Sequence, residues 1–339
     1  MKNADITPNY YAYSLRIDGN QLSDSQKKHF FDCINKIYRG NDKFIYRGDK
    51  KDKLQLLYGV SDNHFEGDFP NSMFTLGAKA RMFIDSGLPG TNEIGIAEAG
   101  NNVFRLIFQM LSKLLHREFP FGPVRMATVG FRAREENVVA FFRNQNNEQV
   151  FLDIIERVTP QQQIIIRDYY LALLHHISKS EYYASSFLLS TTSNFSQAYR
   201  FAWKGENEDS RNPLILFGWV PNQYEGVLSV PNSRILKRKI DMEAIGLPVY
   251  ERSFFPNQEE VTLKGGLLPH YFLGYLHHNS EEPNVFEINP ALLETDNLWD
   301  GRELPIDQST FHQRIQNTLF GRYFTIDPNS NQYRQDQRL

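Results

Sequence analysis

The stretch PLILFGWV, residues 213–220, runs for eight residues without a charge. Side chains on a strand alternate between two faces, so a strand-length run that is apolar on both reads as buried on both faces of a sheet. The chain offers that strand several neighbours: KFIYRG at 43–48, SSFLLSTT at 185–192, EEVTL at 259–263 and HYFLGYL at 270–276, the last two separated by the turn-like KGGLLP.

Helical signals accompany the strands. Ser23 and Gln26 form a capping-box pattern, followed by Phe30, Phe31, Ile34 and Ile37 at helical spacing, with Gly40 as the stop. Val103, Ile107, Met110, Leu111, Leu114 and Leu115 share one face of a second helix. Ile165, Tyr169, Leu173 and Ile177 fall in step over Gln161 to Ser178. A short helix, NFSQAYRFAW, is capped by Asn194 or Ser196. VVAFF, residues 138–142, reads equally as a buried strand or as part of a helix, and residues 60–95 read as loops. No internal repeat is visible.

A chain of 339 residues, 41% hydrophobic and 23% charged, has the profile of a globular protein, enough for one large domain or two ordinary ones. The single cysteine, Cys33, excludes a disulfide framework and a cysteine-rich metal site. A net charge of −3 means that no overall basic field attracts nucleic acid, so any such contact needs a local patch. No uninterrupted apolar stretch approaches the ~20 residues of a membrane span, and no leader-type apolar run opens the chain. The reading is a cytoplasmic protein with no membrane partner.

Polar groups gather at three strand candidates: FIYRG at 44–48, FLLSTTSN at 187–194 and NQEEV at 257–261. An inward guanidinium, hydroxyl or carboxylate needs a partner. Arg47, Ser190 and Glu260 either satisfy one another or converge on a polar ligand. Each motif alone also has a plain reading: an edge-strand arginine, a turn with a helix cap, a solvated acidic face. On a strand, Gln258 and Glu260 at i and i+2 share a face, and Glu259 points away as a solvated or structural acid.

In this order the motifs resemble those of the mono-ADP-ribosyltransferases, in particular the Arg-Ser-Glu class of cholera-like and C3-like toxins and ecto-transferases. The resemblance covers residues 40–60 and 183–280, with Gln258 where arginine-modifying members carry Glu and Thr192 where Ser is usual. It implies an α+β fold: an ADP-ribosyltransferase-like split antiparallel β-sandwich core with flanking helices and NAD in the cleft. The core comprises 1–60 and 181–280, with 61–180 a mostly helical insertion or subdomain, 281–328 an extension packed on the core, and 329–339 a frayed tail. It implies NAD as substrate. Glu260 stabilises positive charge on the ribose, Ser190 orients Glu260, and Gln258 holds an acceptor nucleophile. Arg47 binds the pyrophosphate, and the main chain at Gly48 holds the nicotinamide amide. Thr191, Thr192 and Arg211 join the cofactor site, and Phe254 and Phe255 recognise the acceptor.

Such a chain transfers ADP-ribose to a macromolecular acceptor other than arginine. The charge balance favours protein slightly over RNA or DNA, and family association suggests a toxin or phage-defence effector with a neutralising antitoxin. The alternatives are an NAD glycohydrolase and a non-catalytic module with a degenerate NAD cleft. The pairs His175–His176 and His277–His278 are neighbours that point apart and form no chelate by themselves, so no metal is expected. Phe201 and Trp203 read as core rings or as a cofactor loop. The basic run RILKRK at 234–239 reads as a solvated strand or loop, or as a phosphate contact.

Overall fold

A computed structural model describes residues 8–17, 19–52, 99–116, 126–177, 188–203, 213–222, 225–250, 256–264, 271–277, 284–289, 291–294, 323–326 and 333–336. The first half contains β1 (Ser14–Ile17), β2 (Asn20–Gln21), α1 (Asp24–Arg39), β3 (Lys43–Lys50), α2 (Ala99–His116), α3 (Met126–Arg134), α4 (Glu136–Arg143), α5 (Asn147–Arg157) and α6 (Pro160–Ile177). The second contains β4 (Leu188–Thr192), α7 (Phe195–Trp203), β5 (Pro213–Val220), α8 (Glu225–Leu228), β6 (Ser229–Val230), α9 (Ser233–Lys239), β7 (Glu260–Lys264), β8 (Phe272–His277), β9 (Val285–Ile288), α10 (Ala291–Glu294), β10 (Tyr323–Ile326) and β11 (Tyr333–Asp336).

Helices, a nine-stranded mixed sheet and a two-stranded sheet of β10 and β11 make up the described fold. The strand order is β2-β1-β9-β8-β5-β3-β4-β7-β6, and every pairing is antiparallel except β1 with β9. The all-apolar strand β5 sits inside this sheet between β8 and β3 with all eight residues buried. Its Phe217 meets Tyr10, Tyr46, Phe195 and Phe286 at ring-centroid distances of 5.0–5.8 Å. A fully buried Phe contributes about 1.5–3 kcal/mol, so this aromatic layer is a main source of the sheet's cohesion.

The ladder between β3 and β4 is a single pair, Tyr46 with Thr192. Beyond it, Arg47–Lys50 continue to pair with β5, and Leu188–Thr191 continue to pair with β7. The two strands therefore part, and the sheet forks beside Arg47 and Ser190. The nine strands thus form one hydrogen-bonded sheet, joined across its middle by one residue pair.

Helix α1 begins with the capping box: Ser23 Oγ accepts from Gln26 N, and Gln26 Oε1 accepts from Ser23 N at 2.9 Å. The ambiguous VVAFF segment is helical, within α4. Helices α2, α4, α5 and α6 enclose a second aromatic cluster, with Phe142 at 5.3 Å from Phe108 and 5.2 Å from Tyr170. Three elements lie as follows against the expected subdivision. Helix α6, assigned to an insertion, packs on β4 and β6 of the sheet. Strand β9, assigned to a C-terminal extension, is interior between β1 and β8. Tyr333–Asp336, assigned to a frayed tail, pairs antiparallel with Tyr323–Ile326. The run RILKRK is neither strand nor loop but lies in helix α9, whose N-cap Asn232 accepts from Arg234 N. Among the described residues, no helix is long and apolar enough to cross a membrane.

Candidate functional site

Arg47 stands at the fork. Its Nη1 donates to the Ser190 carbonyl at 2.8 Å, and its Nη2 donates to Asp49 Oδ2 at 3.0 Å. Alternation puts Arg47 and Asp49 on one face of β3, and the Asp49 side chain is 5% exposed. The guanidinium thereby spans the opening where the ladder stops and occupies a carbonyl of the parted strand.

Gly48 faces the other way. A Cβ there would lie 1.9 Å from the Ala198 carbonyl oxygen and 2.6 Å from Ala202 N. The glycine admits the backbone of α7 against β3. The space is filled by the helix, so packing alone demands a glycine at this position.

Strands β4 and β7 bring Ser190 and Glu260 together. Thr192 pairs with Glu260 and Ser190 with Thr262, so Ser190 and Glu260 lie on the same face of adjacent strands. The last turn of α6 covers that face with two histidines. His175 Nε2 lies 2.6 Å from Ser190 Oγ and 3.8 Å from Glu260 Oε1, and His176 Nε2 lies 2.9 Å from Glu260 Oε2. With its proton on Nε2, His175 donates to Ser190 Oγ, whose own hydrogen is then directed at Glu260.

Burial alone would raise the Glu260 pKa. The charge on His176 and its hydrogen bond, the charge on His175 and the hydrogen bond from Ser190 outweigh burial and hold the carboxyl down at about 2. Tyr250, buried beside it, has its phenol pushed up by burial and then by the Glu260 charge. The side chains of Glu260 and His176 are 15% and 17% exposed, and that of His175 is fully buried.

The remaining residues named from the sequence divide as follows. Thr191 Oγ1 donates to the Val261 carbonyl, and Thr192 Oγ1 donates to the Gln258 carbonyl at 2.6 Å. Both threonines are buried, and their hydroxyls staple β4 to the start of β7. Gln258 ends a 3₁₀ turn, Pro256–Gln258, and Glu259 has φ +46°. The strand begins only at Glu260, so strand alternation does not put Gln258 and Glu260 on one face as expected. Glu259, the expected bystander, is exposed and has a structural task. Its carboxylate accepts from Ser193 Oγ and Asn194 Nδ2, both at 3.2 Å, and its carbonyl accepts from Ser193 N. Asn194 Oδ1 in turn accepts from Gln197 N, capping α7. Arg211, Phe254 and Phe255 lie outside the described residues.

His175 and His176 join this cluster, and the sequence alone does not place them there. Adjacent positions on a helix diverge by about 100°, which argued against a chelate. The rings do diverge, with planes at 72°, yet both reach the two oxygens of one carboxylate. The available signal was their position at the end of a helix a short way before the Ser-Thr-Thr strand. Among the described residues, no group of three or more His, Cys, Asp or Glu side chains is arranged to hold a metal ion.

Neither a family model, nor a curated protein, nor a solved structure matches this chain.

Proposed function

We propose that this chain is a mono-ADP-ribosyltransferase that moves ADP-ribose from NAD to a macromolecular acceptor and releases nicotinamide. The observation that carries the reading is the convergence of Ser190 and Glu260 beside a forked sheet, with the Arg47 guanidinium on the Ser190 carbonyl and the carboxylate held ionised. Breaking the ribose–nicotinamide bond builds positive charge on the sugar, and a fixed anion next to that carbon stabilises it. A carboxyl held at about pKa 2 is suited to that task and unsuited to donating a proton near neutrality. An ionised carboxylate has about four lone-pair sites. The hydrogen bonds from His176 and Ser190 leave Glu260 acceptor capacity for a ribose 2′-hydroxyl. Ser190 carries the orienting role, and Arg47 offers a planar donor to the pyrophosphate at the mouth of the fork.

The test is turnover of NAD labelled in its ADP-ribose moiety in cell extract. Glu260→Gln keeps the shape and removes the charge, and is expected to lower transfer by on the order of 10²–10³. Unchanged turnover in this variant removes Glu260 from the reaction. Release of free ADP-ribose with no labelled macromolecule replaces transfer by hydrolysis. Absence of turnover in the wild-type protein, with a macromolecule still bound, leaves a non-catalytic module.

A further inference from the structure

We infer that the cleft between the N-terminal 3₁₀ turn and helix α1 is a binding site for a flat, uncharged heteroaromatic base, adenine in particular. The site is additional to the one at Glu260 and shares no residue with it. The cleft has a volume of about 370 Å³ and lies between residues 8–11 and one face of α1. Small-ligand sites run from about 300 to about 1,000 Å³, so this one suits a single base with its sugar.

The sequence builds the cleft in two parts. Phe31, Ile34, Asn35 and Tyr38 stand at i, i+3, i+4 and i+7, one face of α1. On that face Ile34 is 5% exposed and belongs to the core, whereas Tyr38 is 57% exposed. On the other side, the 3₁₀ turn Tyr10–Ala12 buries Tyr10 and leaves Tyr11 78% exposed. Tyr10 forms the floor. Its ring lies edge-on to Phe30, Phe217 and Phe286 at centroid distances of 5.8–5.9 Å, so the aromatic layer of the sheet fixes its position.

Among the described residues, Tyr11 and Tyr38 are the two most exposed of the large hydrophobic side chains, and both line this one cleft. Single exposed rings are ordinary, but two at the rim of one cleft mark a contact surface. The Tyr11 ring lies parallel to Phe31, 4.2 Å away and at 10°. This stack presents a flat aromatic surface at the rim, which a further flat ring extends.

Rings alone would accept an aliphatic side chain of a protein partner equally well. The polar groups favour a base. Asn9 holds the N-cap position of the turn, where Asn ordinarily caps, yet its side chain makes no capping hydrogen bond. Asn35 is exposed on the cleft face of α1. An amide offers donors and an acceptor together, and Asn pairs bidentately with N6 and N7 of adenine. None of the residues that line the cleft is charged, so the cleft grips the base and leaves any phosphate to solvent.

The experiment measures binding of tritiated adenosine to the full chain by equilibrium dialysis, in wild type and in Tyr11→Ala, Tyr11→Phe and Asn35→Leu. Removing a ring on which a base stacks weakens binding roughly tenfold to a hundredfold, and Tyr11→Ala is expected to lose that much. Tyr11→Phe keeps the stack and is expected to bind within about twofold of wild type. Asn35→Leu loses a hydrogen bond and is expected to bind about fivefold more weakly. Tyr11 and Asn35 are exposed, so all three variants should keep urea midpoints close to wild type. Unlabelled AMP and NAD, added as competitors, separate the sources of the base. Competition by either extends the site to nucleotides, and its absence restricts the site to the nucleoside.

No saturable binding with adenosine at about 1 mM overturns the inference. So does adenosine binding that Tyr11→Ala leaves unchanged, or uridine that competes as well as adenosine itself. Adenosine carries no nicotinamide and its binding needs no turnover, so this outcome and that of the Glu260→Gln test are independent.

Discussion

Removing His176 tests the electrostatics of the site most directly. The Glu260 carboxyl is held down at about 2 against an ordinary value of 4.5. At about 1.4 kcal/mol per unit, that is about 3 kcal/mol of stability linked to ionisation of a group only 15% exposed. The folded-state pKa is lowered, so this stability is fully present above about 4.5 and is lost as pH falls toward 2. His176→Leu removes the nearer charge and a hydrogen bond while burial remains, and burial acts in the opposite direction. The Glu260 pKa is then expected to climb toward or beyond its ordinary value. In urea unfolding, the variant should trail wild type by up to about 3 kcal/mol at pH 5.5, with the gap closing below pH 4. His176→Gln keeps a donor without the charge and should fall between the two. Carbon NMR of the Glu260 carboxyl gives the pKa itself. A gap that stays constant with pH, or a wild-type carboxyl that titrates above 4.5, would refute the claim that the histidines hold this carboxylate ionised.

Three further outcomes follow from named contacts. Gly48→Ala drives a methyl into the Ala198 carbonyl and Ala202 N, both main-chain atoms of α7. It should cost about 3 kcal/mol or more, read as a lower urea midpoint, and wild-type stability would mean that α7 sits farther from β3. Arg47→Lys replaces a fork that reaches both the Ser190 carbonyl and Asp49 with a single ammonium. Under the transferase reading, calorimetry should show NAD binding weakened about tenfold to a hundredfold, the equivalent of one charge-assisted hydrogen bond, and unchanged affinity would remove Arg47 from the cofactor site. Cys33 is 3% exposed, and burial pushes its thiol up to about 11. At pH 8 about one thiol in a thousand is a thiolate, so iodoacetamide should label the chain only as it unfolds, and rapid native labelling would contradict the packing of α1.

The strands were legible because their physics is local. PLILFGWV has no polar face to turn outward, and in the fold it lies between β8 and β3 with every residue buried. The capping box at Ser23 and the apolar spacing after it define α1 in the same way. VVAFF stayed ambiguous because five apolar residues suit a buried strand and a buried helix alike, and packing against Phe108 and Tyr170 decides for the helix. Strand alternation does not extend to Gln258, for a local reason that the letters do not display. Glu259 takes φ +46° while its carboxylate accepts from Ser193 and Asn194, and the strand begins only at Glu260.

The least legible feature is the one that sets the chemistry. A carboxylate at Glu260 could be picked out from its place at a strand end, but its charge state depends on what stands above it. Isolated and buried, the same carboxyl would be pushed up and neutral, and the site would be a proton donor. Two adjacent histidines at the end of α6 reverse that outcome, because a carboxylate has two oxygens and an imidazole is long enough for rings 100° apart on a helix to reach one each. Nothing in the run LLHHI announces this, since the histidines acquire the role only when α6 packs on β4. Helix α6 therefore belongs to the candidate site as much as the forked strands do. The acid expected to stabilise a cationic sugar is kept anionic by a helix that sequence reasoning assigned to a separate unit.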